Sequence, residues 1–213
     1  MNRHFSFVDT IFIHADLARK TLWVQPKDHQ RTYPAKNIQE NHLSEKEKKH
    51  AAGLMRVNHA GEVCAQALYQ GQAMTARSYF VKEKMQEAAD EELDHLAWCN
   101  QRLYELNSHT SYLNLVWYCG AFSLGFIAGM IGDRWSLGFL AETEEQVVRH
   151  LESHLGSLPQ EDVKSRVIVE QMHDEESQHR DMAFEAGAAN LPEFIKRLMT
   201  MSSKIMTRAA YFL

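Results

Sequence analysis

The sequence predicts an all-α protein built as a helical bundle, on three observations. Only four prolines occur, at positions 26, 34, 159 and 192, so residues 35 to 158 run without one, which a fold of short strands and tight turns would rarely tolerate. Apolar residues recur at alternating spacings of four and three through several long segments, the stripe that one helical face presents to a core. The balance of 45% hydrophobic and 24% charged residues over 213 positions is that of a globular chain with a sizeable core.

Residues 1 to 44 mix Pro, Gln, Asn and His with short apolar runs and are expected to form an N-terminal arm with one short helix. Residues 45 to 213 are expected to form the bundle. Ser44-Glu45-Lys46-Glu47 reads as a capping box, in which the serine accepts from a free backbone N–H and Glu47 reaches back, so a first long helix is placed at about 45–76. A second, at about 80–106, carries Met85, Ala89, Glu92, Leu96, Cys99, Leu103 and Leu106 on one face. A third, at about 136–155, carries Leu137, Leu140, Glu144, Val147, Leu151 and Leu155, and a fourth, at about 161–189, carries Val169, Met172, Glu176, His179, Ala183 and Ala186. Each of these three stripes is interrupted by a glutamate.

Two further segments are apolar in another way. No charged side chain occurs from Asn107 through Gly132, and the core of that stretch, 111–132, is long enough to span a membrane. Asn114, Ser123 and four glycines dilute it, so the preferred reading is a buried helix, with Gly120, Gly125, Gly129 and Gly132 allowing close approach. In 192–213, Phe194, Leu198, Ile205 and Phe212 share a helical face flanked by Arg197, Lys204 and Arg208. That pattern suits either a membrane surface or a helix packed on the bundle.

Composition excludes several functions. With 23 Lys+Arg against 28 Asp+Glu the chain is weakly acidic, which argues against a nucleic-acid binder that must neutralise phosphates. Cys64, Cys99 and Cys119 form no C-x2-C pair, so neither a disulfide framework, a zinc finger nor an iron–sulfur cluster is expected, and a reducing compartment is. Residues Met1 to Lys20 lack a clean apolar h-region, and no secretory signal is read there.

Four Glu-x2-His motifs occur, Glu47/His50, Glu92/His95, Glu170/His173 and Glu176/His179, where 19 Glu and 12 His would give about one by chance. Face assignment sorts them. Glu47 and His50 sit in a charged helix start, and Glu170 and His173 share a polar face with Arg166, Ser177 and Arg180. Glu92 and Glu176 instead replace apolar residues in unbroken stripes, where an unpartnered carboxylate is costly. The two halves also repeat: Glu62 precedes Glu92-x2-His95 by 30 residues, and Glu144 precedes Glu176-x2-His179 by 32. Antiparallel hairpins with both glutamates at one level would turn near Arg77 and near Gln160, the latter beside Pro159. The stretch from Glu92 to Glu144 then forms the long crossover of a ferritin-like four-helix bundle, with the C-terminal helix additional.

Six inward side chains, Glu62, Glu92, His95, Glu144, Glu176 and His179, match a dinuclear carboxylate site. Two divalent cations bring four positive charges and four carboxylates cancel them, so a loaded site is nearly neutral inside an apolar bundle. An oxygen-rich set with two imidazoles favours two iron ions, or manganese, over zinc. Glu92 and Glu176 are assigned as bridges, Glu62 and Glu144 as terminal ligands, and His95 and His179 as one ligand each. Asp94, Asp174 and His150 are candidates for orienting the ligands from outside. The competing readings are a ferritin-like iron-oxidising or peroxide-scavenging protein, and a metal-free membrane adaptor whose glutamates pair with Lys or Arg.

These residues, together with Arg56-Val57-Asn58-His59-Ala60-Gly61-Glu62, Ala141-Glu142-Thr143-Glu144-Glu145 and Asp174-Glu175-Glu176-Ser177-Gln178-His179, resemble the demethoxyubiquinone hydroxylases of ubiquinone biosynthesis over residues 45 to 213. The resemblance implies a ferritin-like di-iron monooxygenase bound peripherally to a membrane, which uses O2 to hydroxylate the ring of a polyprenylated 3-methyl-6-methoxy-1,4-benzoquinol. It implies the same six ligands. It also implies a place on the cytoplasmic face of a bacterial cell membrane, or the mitochondrial inner membrane of a eukaryote, beside other ubiquinone-biosynthesis proteins. No G-x-G-x-x-G fingerprint appears, so the two electrons the reaction needs are expected from a partner, from NADH bound without that motif, or from the quinol. Nothing functional is carried over to the arm.

Overall fold

A computed structural model describes residues 7–23, 25 and 30–213; the remainder of the expected arm, Pro26 included, lies outside the described residues. Among the described residues the chain forms seven helices and no strand: α1 (Phe7–Leu22), α2 (Glu45–Thr75), α3 (Tyr79–Glu105), α4 (Asn114–Ile131), α5 (Asp133–Ser157), α6 (Val163–Glu185) and α7 (Glu193–Phe212). Helices α2, α3, α5 and α6 are the four expected legs. The helix in the arm is longer than expected, at 16 residues.

Local chemistry sets the boundaries. The capping box at Ser44 forms in both directions: Ser44 N donates to Glu47 Oε2 at 2.8 Å, and the Ser44 hydroxyl accepts from the Glu47 amide at 3.4 Å. α6 begins at 163 rather than 161 because Asp162 is its cap, its carboxylate accepting from the Ser165 amide at 3.0 Å. It ends at 185 because Gly187 turns the chain out of the helix at φ +94°. The two hairpin turns fall between α2 and α3 and between α5 and α6, at the predicted places. The first is fastened by Asp133, whose carboxylate takes the amides of Arg77 and Ser78 at 2.9 and 2.7 Å.

The crossover helix α4 lies along α2, and small residues let the two backbones meet. A Cβ added at Gly71 would meet the backbone of Phe122 and Phe126, one at Gly125 the carbonyl of Leu68, and one at Gly129 the Thr75 hydroxyl. Gly120 has open space around its missing Cβ, and Gly132 serves as the joint between α4 and α5 at φ +139°. A buried polar chain crosses the same region. The Tyr118 hydroxyl donates to Gln70 Oε1 at 2.5 Å, Gln70 Nε2 donates to Gln66 and Thr21, and Gln66 Nε2 donates to the Ala89 carbonyl, linking α4, α2, α1 and α3. One third of α4 is buried, and its outer side leaves Leu115, Val116, Leu124, Ile127, Met130 and Ile131 exposed.

α7 packs on the bundle through one face and leaves another apolar face uncovered: Met206, Ala210 and Tyr211 pack against Val57, Ala60 and Trp117, while Phe194, Leu198, Met201, Ile205 and Phe212 stay exposed beside exposed Arg197, Lys204 and Arg208. Its end is pinned by Arg56, buried to 7% exposure, which donates to the carbonyls of Tyr211 and His109 at 2.8 and 2.9 Å and to the Ser108 hydroxyl. The segment 30–43 is tied down by Arg102, fully buried, which reaches Glu40 at 2.6 Å, Asp162 at 2.7 Å and Ser165 at 2.8 Å.

Two outcomes follow from this packing. Gly125→Ala drives a methyl into the Leu68 carbonyl and is expected to lower stability by about 1–3 kcal/mol, while Gly120→Ala, with room for it, leaves the thermal midpoint unchanged or slightly raised. His59 is buried with neither ring nitrogen bonded among the described residues, and burial lowers its pKa from 6.5 to about 4. Between those values the unfolded chain takes a proton that the folded one refuses. Stability is therefore complete above pH 6.5 and falls as the pH drops toward 4, by about 3 kcal/mol from this residue. Chemical denaturation across that window, flatter for His59→Leu, checks it.

Candidate metal centre

Each leg delivers its polar residues at one level of the bundle. α2 supplies Glu62, α3 Glu92 and His95, α5 Glu144, and α6 Glu176 and His179, and all six are buried, with 0–3% of each exposed. Single donor atoms from Glu62, Glu92, His95 and Glu176 lie within 4.8 Å of one another, and so do atoms from Glu92, Glu144, Glu176 and His179. Glu92 and Glu176 belong to both groups. The glutamates of the two Glu-x2-His motifs thus stand between two sets of four, and Glu62 and Glu144 sit at the outer edges.

Both imidazoles turn the same atom inward. His95 Nδ1 is 3.0 Å from Glu92 Oε2 and 3.1 Å from Glu176 Oε1, and His179 Nδ1 is 3.3 Å from Glu176 Oε2 and 3.4 Å from Glu92 Oε1. Burial would lower the pKa of either histidine, yet the surrounding carboxylates raise both well above the ordinary value. Burial would likewise raise Glu92, but the neighbouring imidazoliums hold it below the usual carboxylate range. At Glu62 and Glu144 burial first, then the nearby carboxylates, outweigh the smaller pull of His95 and His179 and push both well up, which favours their neutral form in the metal-free chain. The four carboxylates and two imidazoles settle their charge by sharing protons, which is the state a pair of divalent cations would replace.

Residues 37–210 match the family described as Ubiquinone biosynthesis protein COQ7. The chain belongs to that family. Curated relatives agree along almost the whole length: the 3-demethoxyubiquinol 3-hydroxylase of Nitrosococcus oceani is 53% identical over 211 residues, covering 99% of both chains. The protein of the same name from Legionella pneumophila (strain Paris) is 53% identical over 212 residues, covering 99% of this chain and all of that one. That of Acinetobacter baumannii is 51% identical over 211 residues, with the same coverage.

Outside the six, this COQ7-family chain holds its histidines from behind. His95 Nε2 lies 2.6 Å from Glu175 Oε2, and His179 Nε2 lies 2.8 Å from Glu91 Oε2. A carboxylate at Nε2 keeps the proton there and leaves Nδ1 as the donor toward the centre. The two contacts cross, since Glu91 of α3 serves the histidine of α6 and Glu175 of α6 serves that of α3. Sequence reading passed over both, although each half contains the same Glu-Glu-x2-His string, Glu91-Glu92-x2-His95 and Glu175-Glu176-x2-His179. The extra glutamate was the signal.

The three residues expected to orient ligands fare differently. Asp94 is buried and takes Arg31 Nε at 2.6 Å. Asp174 is 77% exposed and, among the described residues, pairs with His173, and His150 belongs to neither donor group but lies against His154, with ring centroids 3.9 Å apart. Of the motifs set aside, His50 bonds the Tyr211 hydroxyl at 2.7 Å, Glu170 is exposed, and His173 pairs loosely with Glu152 at 3.4 Å. None reaches the centre.

Glu144 finds no donor for either oxygen among the described residues and faces the carboxylate of Glu176. Replacing it by an apolar group removes a buried acid crowded against another carboxylate, so metal-free Glu144→Leu is expected to be more stable than the parent by about 1–3 kcal/mol in a denaturant titration.

Proposed function

We propose that this chain is a 3-demethoxyubiquinol 3-hydroxylase, an O2-dependent monooxygenase using two iron ions held by Glu62, Glu92, His95, Glu144, Glu176 and His179. The observation that carries the metal reading is the sharing of Glu92 and Glu176 by two four-residue donor groups. Glu92 and Glu176 would bridge, Glu62 and His95 would complete one position, and Glu144 and His179 the other. Six donors of which four are carboxylates fit two divalent irons in charge and in hardness, and no thiolate stands among them. A bound iron pair would supply the two-electron oxygen chemistry that places one atom of O2 on the quinol ring and releases the other as water. The chain's own part is to keep that site dry and pre-arranged. Cys99 and Met172 are buried beside it, Cys99 donates its thiol hydrogen to Met172 sulfur at 3.7 Å, and burial keeps that thiol protonated.

The exposed apolar sides of α4 and α7 support peripheral attachment to a membrane, where a polyprenylated quinol resides. Their large side chains would enter the lipid boundary, and Arg197, Lys204 and Arg208 would meet anionic headgroups. The attachment would be at the cytoplasmic face of a bacterial membrane, with electrons delivered from outside the chain and with other ubiquinone-biosynthesis proteins as neighbours. An iron-oxidising or peroxide-scavenging role on the same bundle would leave these apolar surfaces without a use.

Cells lacking the chain are expected to accumulate a demethoxy quinone, restored by the parent and not by Glu144→Ala; an unchanged quinone pool would overturn the substrate reading. Purified protein is expected to carry close to two irons, and Glu92→Ala or Glu176→Ala to lose both, because each substitution removes a ligand from both positions. Co-sedimentation with anionic vesicles is expected to weaken at least tenfold in the double variant Leu198→Asp, Ile205→Asp and to decline with salt.

A further inference from the structure

The two outer carboxylates are held unequally. Glu91, behind His179, is 49% exposed, whereas Glu175, behind His95, is 11% exposed. Glu175 Oε1 accepts from Arg31 Nη1 at 2.8 Å and from Gln171 Nε2 at 2.5 Å, leaving Oε2 to His95. Arg31 comes from the segment ahead of the bundle and stands outside residues 37–210, the span matched by the family. Its Nε donates to Asp94 Oδ2 at 2.6 Å, the amides of Gln30 and Arg31 reach Asp94 Oδ1 at 2.5 and 3.3 Å, and its guanidinium lies 4.8 Å from the centre of the Trp98 ring. Trp98 in turn packs 5.4 Å from the His95 ring.

We propose that Arg31 is a positioning residue for one half of the centre: by clamping Glu175 and Asp94 it fixes the His95 ring and makes the position completed by His95 the tighter of the two metal sites. This rests on the reading of His95 as a ligand through Nδ1. A guanidinium suits the task because its planar fork reaches two carboxylates at once and stacks on an indole, and a lysine ammonium cannot do all three. Freed from Arg31, Glu175 would turn toward solvent and His95 would gain both rotameric and tautomeric freedom, which must be lost again when metal binds. Removing such an outer partner typically weakens a metal about 10- to 100-fold. Coupling is reciprocal, so metal at this position should also hold the 30–43 segment more tightly against the bundle.

The test is an anaerobic titration of the metal-free full chain with Co(II) and Fe(II), followed by ligand-field absorption and elemental analysis, alongside hydrogen exchange of residues 30–43. The parent is expected to fill two positions of distinct affinity, and Arg31→Gln to lose about 10- to 100-fold at the tighter one alone, with Arg31→Lys intermediate. Metal loading is expected to slow exchange of 30–43 in the parent and not in Arg31→Gln. Glu175→Gln, which leaves Arg31 on Asp94, should weaken the same position, and the double variant should lose clearly less than the sum of the two single losses. Wild-type affinity in Arg31→Gln, or losses that add fully in the double variant, would overturn the proposal. A parent that takes up no metal would instead overturn the reading of the centre on which it stands.

Discussion

The structure depends on keeping four carboxylates and two imidazoles away from water in the middle of a helical bundle. An unpartnered ion there would cost several kcal/mol, so the chain must either supply opposite charge or share protons among the acids. It does both. His95 and His179 offset two carboxylates, while Glu62 and Glu144 are driven toward their neutral form by burial and crowding. Such an arrangement is tense without cations and relaxed with them, which is how a fold stores affinity for metal at the expense of its own stability.

Around that centre, three arginines do the fastening, Arg56 and Arg102 buried and Arg31 half-buried. Arg56 gathers the end of α7 and the 108–109 loop, Arg102 gathers the 40–43 region and the start of α6, and Arg31 gathers α3 and α6 behind His95. None of these is a catalytic group. Each joins segments far apart in sequence by hydrogen bonds from a charged guanidinium, which add to the apolar packing that holds the legs and the connections alike.

Much of this was legible in the sequence because helical periodicity makes an exception visible. Glu92, Glu144 and Glu176 stood out as acids in apolar stripes, and the separations of 30 and 32 residues placed the hairpin turns where Ala76–Ser78 and Leu158–Asp162 now connect the legs. The capping box at Ser44 foretold the start of α2. What escaped were contacts between segments distant in sequence. Arg31 has no periodic pattern, since it lies in a segment without regular structure, and its partners are 63 and 144 residues away. Glu91 and Glu175 were masked by their neighbours, because a second acid beside a ligand looks like helix surface until the opposite helix is in place. Asp174 and His150 were plausible for the same reason and failed on rotation about the helix axis.

The crossed pairing of Glu91 with His179 and of Glu175 with His95 constrains how the bundle can move. Because each helix of the pair holds a histidine belonging to the other, α3 and α6 cannot shear past one another without breaking both contacts together. A slip of even one helical turn would uncouple two rings at once. The halves of the centre are therefore mechanically geared: loosening on one side is felt on the other through rigid rods, and the pair must open or tighten as a unit.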